Sequence, residues 1–357
     1  MAATNTTMQK VRKGEELKEQ SLKVFLHQHQ LISDINSPLK VSQFSTGASN
    51  LTYLLHIENR ELVLRRPPKG AIKRGHDMGR EFKVLTGLNN GFEKAPKAYV
   101  YTEDKSIIGA SFYVMEKIEG IIIDYREAQR RKISATEFPI IANSWLDTLV
   151  ELHDLDYEAV GLGNLGRPNG YVERQVRNWS KQYLKAATED IPEAPKVMAW
   201  LDEHQPTEYH HCLIHNDYKY DNVIFENDSW QKINAVLDWE MCTLGDPFMD
   251  LGAAIAYWIT GDDEPIIRKT FPYPTMMAGN PSRLEVVEQY ALKSGRPINH
   301  LVFYYAFGLF KNTVIVQQIY YRYAKGLTTN EGFANFNHLT KLFCKLAWQA
   351  IQNKRIE

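Results

Sequence analysis

A change of pattern part-way along the chain limits what it can fold into. Up to about residue 118 the sequence is built from short β-rich runs, 41–44, 51–58, 61–66, 97–102 and 110–118. Their alternation and their β-branched and aromatic residues predict strands. The runs 51–58 and 61–66 predict a hairpin turning across Asn59 and Arg60, and GREFKVLTGL (79–88) inserts one helical pattern. Ahead of them Leu17, Leu22, Val24 and Phe25 give a rough helical stripe that ends at the turn-rich SDINSP. From Ala135 onward the pattern is helical (138–153, 170–187, 195–204, 281–295 and 301–326), with two β-rich interruptions at 212–225 and 232–240. Strands holding one helix, followed by a longer helical part, predict an α+β chain with a small, mainly β N-terminal lobe and a larger helical C-terminal lobe. A length of 357 residues also suits two lobes. The boundary is expected near Met115–Gly120, giving lobes of 1–115 and 116–357.

Composition excludes several classes. The formal net charge is −1, which suggests no bulk attraction to nucleic acid or to an anionic membrane. Cys212, Cys242 and Cys344 form no C-x-x-C pair, which predicts reduced thiols in a cytoplasmic setting. The first residues, MAATNTTMQKVRKGEE, carry positive charge with no apolar run behind it, so a flexible tail is expected rather than a secretory signal. The apolar stretches Leu251–Ile259 and Leu301–Phe310 are too short for ~30 Å of hydrocarbon, and no membrane span is expected.

The sharpest local signal is His215-Asn216-Asp217-Tyr218-Lys219-Tyr220-Asp221-Asn222, held between apolar Leu213-Ile214 and Val223-Ile224-Phe225. Apolar Ala235-Val236-Leu237 then delivers Asp238. The Asp217-to-Asn222 spacing is that of a D-x-x-x-x-N loop in phosphoryl-transfer enzymes. Such chemistry needs an acceptor for the attacking hydroxyl's proton, which Asp217 can supply. It also needs oxygen ligands for Mg²⁺, which Asn222 and Asp238 can supply.

With Asp238-Trp239-Glu240 and Gly245-Asp246-Pro247-x-x-Asp250-Leu251, this loop resembles the aminoglycoside phosphotransferase-like kinases. The resemblance implies their protein-kinase-like two-lobed fold, ATP and Mg²⁺, and a small-molecule hydroxyl acceptor. The segment 44–52 is similar to the family's nucleotide-covering loop, which places Gly47, Ser49 and Asn50 at the phosphates. The segment 61–68 resembles its third strand, where Arg65 (Arg66 as the fallback) stands for the usual phosphate-binding lysine and Glu81 would orient it. Val114–Gly120 resembles its hinge, so Glu116 and Ile118 would meet adenine through their backbone groups. Asp250 would brace the loop, His215 would be structural, and Lys219 could reach the transferring phosphate. Asn216 replaces the usual glycine, which could alter the loop backbone.

From about residue 40 the chain also looks like the subgroup of kinase domains associated with acyl-CoA dehydrogenases, notably at 161–183, 281–298 and Tyr320–Tyr323. That association implies a hydroxyacyl-CoA or hydroxy acid acceptor. Arg174, Arg177, Trp179 and the tyrosines at 320–323 read singly as packing or solvated faces, and collectively as part of an acceptor site. Two alternatives are weighed: an aminoglycoside-type antibiotic kinase, which would want a strongly acidic groove, and a nucleotide-binding pseudokinase scaffold, which would usually lack one of Asp217, Asn222 and Asp238. A zinc site at His211 and His215 is rejected, because four extended residues separate them by about 13 Å and ~2 Å bonds cannot bridge that.

Overall fold

The computed structural model describes residues 8–44, 50–68, 77–207, 210–328 and 330–357. The chain forms two compact units: Met1–Ile123 with Glu158–Leu162 and Asp221–Cys242, and Asp124–Tyr157 with Gly163–Tyr220 and Thr243–Glu357. The first unit therefore runs past the boundary expected at residues 115 and 116. Ile121 and Phe225 exchange two backbone hydrogen bonds of 2.8 Å, which ties the 221–242 segment to the first unit.

In chain order the first unit contains β1 (Met8–Gln9), α1 (Glu19–Gln28), β2 (Leu39–Phe44), β3 (Leu51–Ile57), β4 (Arg60–Arg66), α2 (Met78–Leu88), β5 (Ala98–Thr102), α3 (Lys105–Ile108) and β6 (Phe112–Glu116). The six strands make one antiparallel sheet in the order β1-β2-β3-β4-β6-β5. The β3–β4 turn is Glu58-Asn59, because Arg60 already pairs with Ile57. Glu58 takes φ +52° there, and its carboxylate accepts from Ser33 N, Ser33 Oγ and Asp34 N, all within 2.9 Å.

Every residue of β4 from Leu62 to Arg66 is buried, so this central strand is covered on both faces. Successive side chains of a strand point to opposite faces. Leu62 and Leu64 join Tyr53, Leu55, Phe112 and the α1 residues Leu22, Phe25 and Leu26 in one core cluster. Arg66 shares that face, bonding Tyr53 Oη and the Glu15 carbonyl. Arg65 points the other way, toward Glu81 of α2.

The rest of the chain adds α4 (Tyr125–Arg131), α5 (Phe138–Asp154), α6 (Tyr171–Ala186), α7 (Glu193–Glu203), β7 (Cys212–Ile214), β8 (Val223–Phe225), β9 (Ile233–Val236), β10 (Thr243–Gly245), α8 (Pro247–Ala256), α9 (Pro265–Thr270), α10 (Arg283–Ser294), α11 (Leu301–Ala324) and α12 (Phe336–Asn353). The antiparallel pair β8–β9 belongs to the first unit, and the pair β7–β10 to the second. Helices α8 and α11 cross at two glycines. A Cβ on Gly252 would lie 2.4 Å from the Tyr304 carbonyl oxygen, and one on Gly308 2.3 Å from the Gly252 carbonyl oxygen. No side chain fits at that crossing. Among the described residues no helix is long and apolar enough to cross a membrane.

Candidate active site

In the first unit a cluster of charges forms around Arg65. The register Val223↔Val236 places Asn222 and Leu237 side by side, and Leu237 N donates to the Asn222 carbonyl at 2.8 Å. The next residue, Asp238, takes a left-handed backbone (φ 66°, ψ 61°) before a short 3₁₀ turn at Trp239–Met241. Aspartate is among the few L-residues that tolerate that conformation. Trp239 Nε1 bonds the Val236 carbonyl at 2.8 Å and locks the turn. The Asp238 carboxylate then meets Arg65, whose Nη2 lies 3.0 Å from Oδ1 and whose Nη1 lies 2.5 Å from Glu81 Oε1. Glu240 stands 3.8 Å from the same guanidinium and accepts from Asn50 Nδ2 at 2.9 Å. Burial opposes the Arg65 charge, but Glu81, Tyr113, Asp238 and Glu240 outweigh it and raise the arginine's pKa.

These contacts distinguish the two arginines. Arg65 shares its face of the sheet with Glu81 and Asp238; Arg66 does not. The oxygen donors of Asn222 and Asp238, on adjacent strand ends, fit a hard divalent cation such as Mg²⁺ that keeps water and phosphate as its other ligands.

Of the other first-unit candidates, Gly47 and Ser49 lie outside the described residues. Glu116 is the last residue of β6 and its N–H is spent on the Lys97 carbonyl at 2.9 Å. Only its carbonyl could then serve adenine, which narrows the sequence expectation. Ile118 follows in irregular backbone and is half-buried.

In the second unit the loop after β7 is held by buried acid. Asp250, fully buried in the first turn of α8, accepts from His215 N at 2.6 Å and Asn216 N at 2.7 Å. His153 Nε2 lies 3.2 Å from Asp250 Oδ2, and its Nδ1 lies 2.7 Å from Tyr290 Oη. Burial pushes the Asp250 carboxyl up, but hydrogen bonds from His153 and the His215 backbone prevail and lower its pKa. Asp250 thus sits where a brace was expected. His215 Nδ1 accepts from Asp217 N at 3.2 Å, an internal loop contact. Tyr218 anchors the loop through its hydroxyl to the Trp145 carbonyl at 2.8 Å.

Asn216 adopts φ +67°, the left-handed region that glycine favours. The substitution therefore leaves the loop backbone in a glycine-like conformation. Tyr171 Oη donates to Asn216 Oδ1 at 3.3 Å, and Lys311 Nζ donates to the Asn216 carbonyl at 2.5 Å. Lys219 Nζ lies 3.2 Å from Asp217 Oδ2 and 5.2 Å from the centre of the Tyr257 ring.

Lys311 was not foreseen. It is a lysine in the buried stretch of α11, 3% exposed. Burial lowers its pKa, with Asp217 and Asp250 opposing. A lone lysine inside the apolar pattern 301–316 was the available sequence signal.

The sequence and its fold match known proteins. The profile of a family described as the phosphotransferase enzyme family matches residues 40–272. The chain belongs to that family. Acyl-CoA dehydrogenase family member 10 of Mus musculus is 34% identical over 314 residues, 87% of this chain and 29% of that protein. The chain therefore spans under a third of that relative's length. A candidate aminoglycoside phosphotransferase from Ralstonia eutropha has a solved structure that superposes with a TM-score of 0.80 at 29% identity, covering 95% of this chain and 99% of that one. The aminoglycoside phosphotransferase APH(4)-Ia, solved as a thermostable mutant in a ternary complex with AMP-PNP and hygromycin B, shares the fold. Its TM-score is 0.58 at 14% identity, covering 92% of this chain and 98% of that one. This chain is thus an α+β, protein-kinase-like phosphotransferase of the small-molecule kinase type, similar over most of its length to part of an acyl-CoA dehydrogenase family protein.

Proposed function

We propose that the enzyme transfers the γ-phosphoryl group of ATP, with Mg²⁺, to a hydroxyl of a hydroxy acid or its CoA thioester. The observation that carries the reading is the contact of Arg65 with both Glu81 and Asp238. A phosphate-binding cation held by a helix carboxylate, beside an aspartate able to ligate metal, is the constellation that positions nucleotide phosphates in kinases. Asn222 and Asp238 would hold Mg²⁺, which neutralises charge on the phosphates. Arg65 would contact the phosphates, with Gly47, Ser49 and Asn50 covering them. The carbonyl of Glu116 and the backbone of Ile118 would meet adenine. Only four residues of chain separate Asp217 from Asn222. Asp217 would take the proton as the acceptor oxygen bonds to phosphorus and the bond to the ADP oxygen breaks. The AMP-PNP complex of APH(4)-Ia supports the choice of nucleotide, and the acyl-CoA dehydrogenase relative supports the acceptor class.

The test is mass-spectrometric detection of phosphorylated product from Mg-ATP and a panel of hydroxy acids, their CoA thioesters, choline and aminoglycosides. Product is expected from the acids or thioesters. An aminoglycoside as the best acceptor would overturn the acceptor class, and ATP binding with no product from any acceptor would favour a pseudokinase.

The arginine assignment has its own test. Arg65→Ala leaves Glu81 buried beside no cation and is expected to destabilise the fold by about 3–5 kcal/mol. It should also raise the KM for ATP, and Arg65→Lys should recover part of both losses. Arg66→Ala should leave the KM unchanged, because its guanidinium serves the other face of the sheet. Melting curves and ATP titrations of the three variants check this; a KM that rose only in Arg66→Ala would reverse the choice.

A further inference from the structure

Lys311 brings a cation into the interior with few partners. A lysine ammonium has three N–H donors, and buried charges are normally paired and fully hydrogen-bonded. Among the described residues Lys311 has one hydrogen bond, to the Asn216 carbonyl, and no carboxylate within ion-pair distance. Two donors remain unspent, next to the residue that precedes Asp217. The ammonium lies 5.9 Å from the centre of the half-buried Trp179 ring. Lys219, 3.2 Å from Asp217 Oδ2, lies over the half-buried ring of Tyr257. The loop that carries Asp217 is therefore met by two ammonium groups, one at Asn216 and one at Asp217, each set against an aromatic ring. This setting repels a cationic acceptor and suits a short apolar chain carrying an electron-rich oxygen.

We infer that Lys311 is a specificity-determining residue that binds a carboxylate or thioester carbonyl oxygen of the acceptor, on the same molecule as the hydroxyl that Asp217 serves. This rests on the proposed role of Asp217. The bond to Asn216 makes Lys311 a loop tether as well, so the experiment has to separate tethering from recognition.

Two variants do this. Lys311→Gln keeps an N–H donor for the Asn216 carbonyl without the charge, and Lys311→Met removes both. The probes are 2-, 3- and 4-hydroxybutyrate, their CoA thioesters, and butanediols that lack the acyl oxygen. The wild-type protein should prefer its best acyl acceptor over the matching diol by ~100-fold or more in kcat/KM, as sites built to bond a polar group do. Both variants should bring that ratio close to unity, and Lys311→Gln, which keeps a donor for the Asn216 carbonyl, should do so with melting temperature and ATP KM nearly unchanged. A tether alone would lower turnover of acyl acceptor and diol together and leave the ratio intact, which overturns the inference.

Calorimetric titration of the same acids and thioesters gives a readout independent of turnover. Wild type and Asp217→Asn should bind alike, while Lys311→Met loses about 30-fold or more in affinity. If nothing is phosphorylated yet that loss is seen, the kinase reading fails and the role of Lys311 stands. If wild type binds neither acid nor thioester, the role of Lys311 fails. Whether free acid or thioester binds more tightly identifies which oxygen is read.

Discussion

Asp217→Asn is expected to lower kcat by about 10²–10⁴-fold, the usual contribution of a general base, while the ATP dissociation constant and the melting temperature stay near wild type. The loop owes its shape to other groups: Asp250 takes the two backbone N–H groups before Asp217, Lys311 takes the Asn216 carbonyl, and Tyr218 bonds the Trp145 carbonyl. The Asp217 carboxylate is half-buried and meets Lys219, so an amide of the same size can occupy its place without undoing the loop. What it cannot do is accept the hydroxyl proton. Single-turnover rates, with nucleotide affinity measured on the same preparation, check this. Near-normal turnover would remove Asp217 as the base, and loss of ATP binding would make it structural.

Asp238→Ala is expected to reduce turnover to background and to abolish the dependence of ATP affinity on Mg²⁺. Two losses coincide at this residue. The proposed cation loses a carboxylate ligand, and Arg65 loses the partner that holds its second nitrogen 3.0 Å away. The variant should still fold, since the Asp238 side chain is about a third exposed and Glu81 continues to balance Arg65. Calorimetry of ATP binding with and without Mg²⁺ is the check. If magnesium still strengthened ATP binding to the variant, the ligand assignment would fall.

Much of the fold was legible because its elements have strong local periods. The run 51–58 became β3 at Leu51–Ile57, and 138–153 became α5 at Phe138–Asp154. The hairpin turn came one residue early, because the contacts that allow Glu58 a positive φ come from Ser33 and Asp34, distant in sequence. The choice between Arg65 and Arg66 could not be made from the segment alone, since both are buried. It required the register of β4, which fixes which arginine faces Glu81. The use of the Glu116 N–H by Lys97 was hidden for the same reason, being a contact across the chain. The sequence offered Lys311 only as a lone lysine in an apolar run, and its role was hidden because its partner is a backbone carbonyl 95 residues away.

The α8–α11 crossing bears on how that loop is held. From α8, Asp250 lies two residues before Gly252; from α11, Lys311 lies three residues after Gly308. Two helices locked backbone to backbone thus present an anion to the N–H of residue 216 and a cation to its carbonyl. A glycine at 216 would adopt the left-handed conformation unaided, and could lose either tether with little change in shape. Asparagine tolerates that conformation less freely and depends on being held. The charges that the two helices carry on either side of their crossing thus hold the backbone just before Asp217 in a conformation that only a few L-residues tolerate.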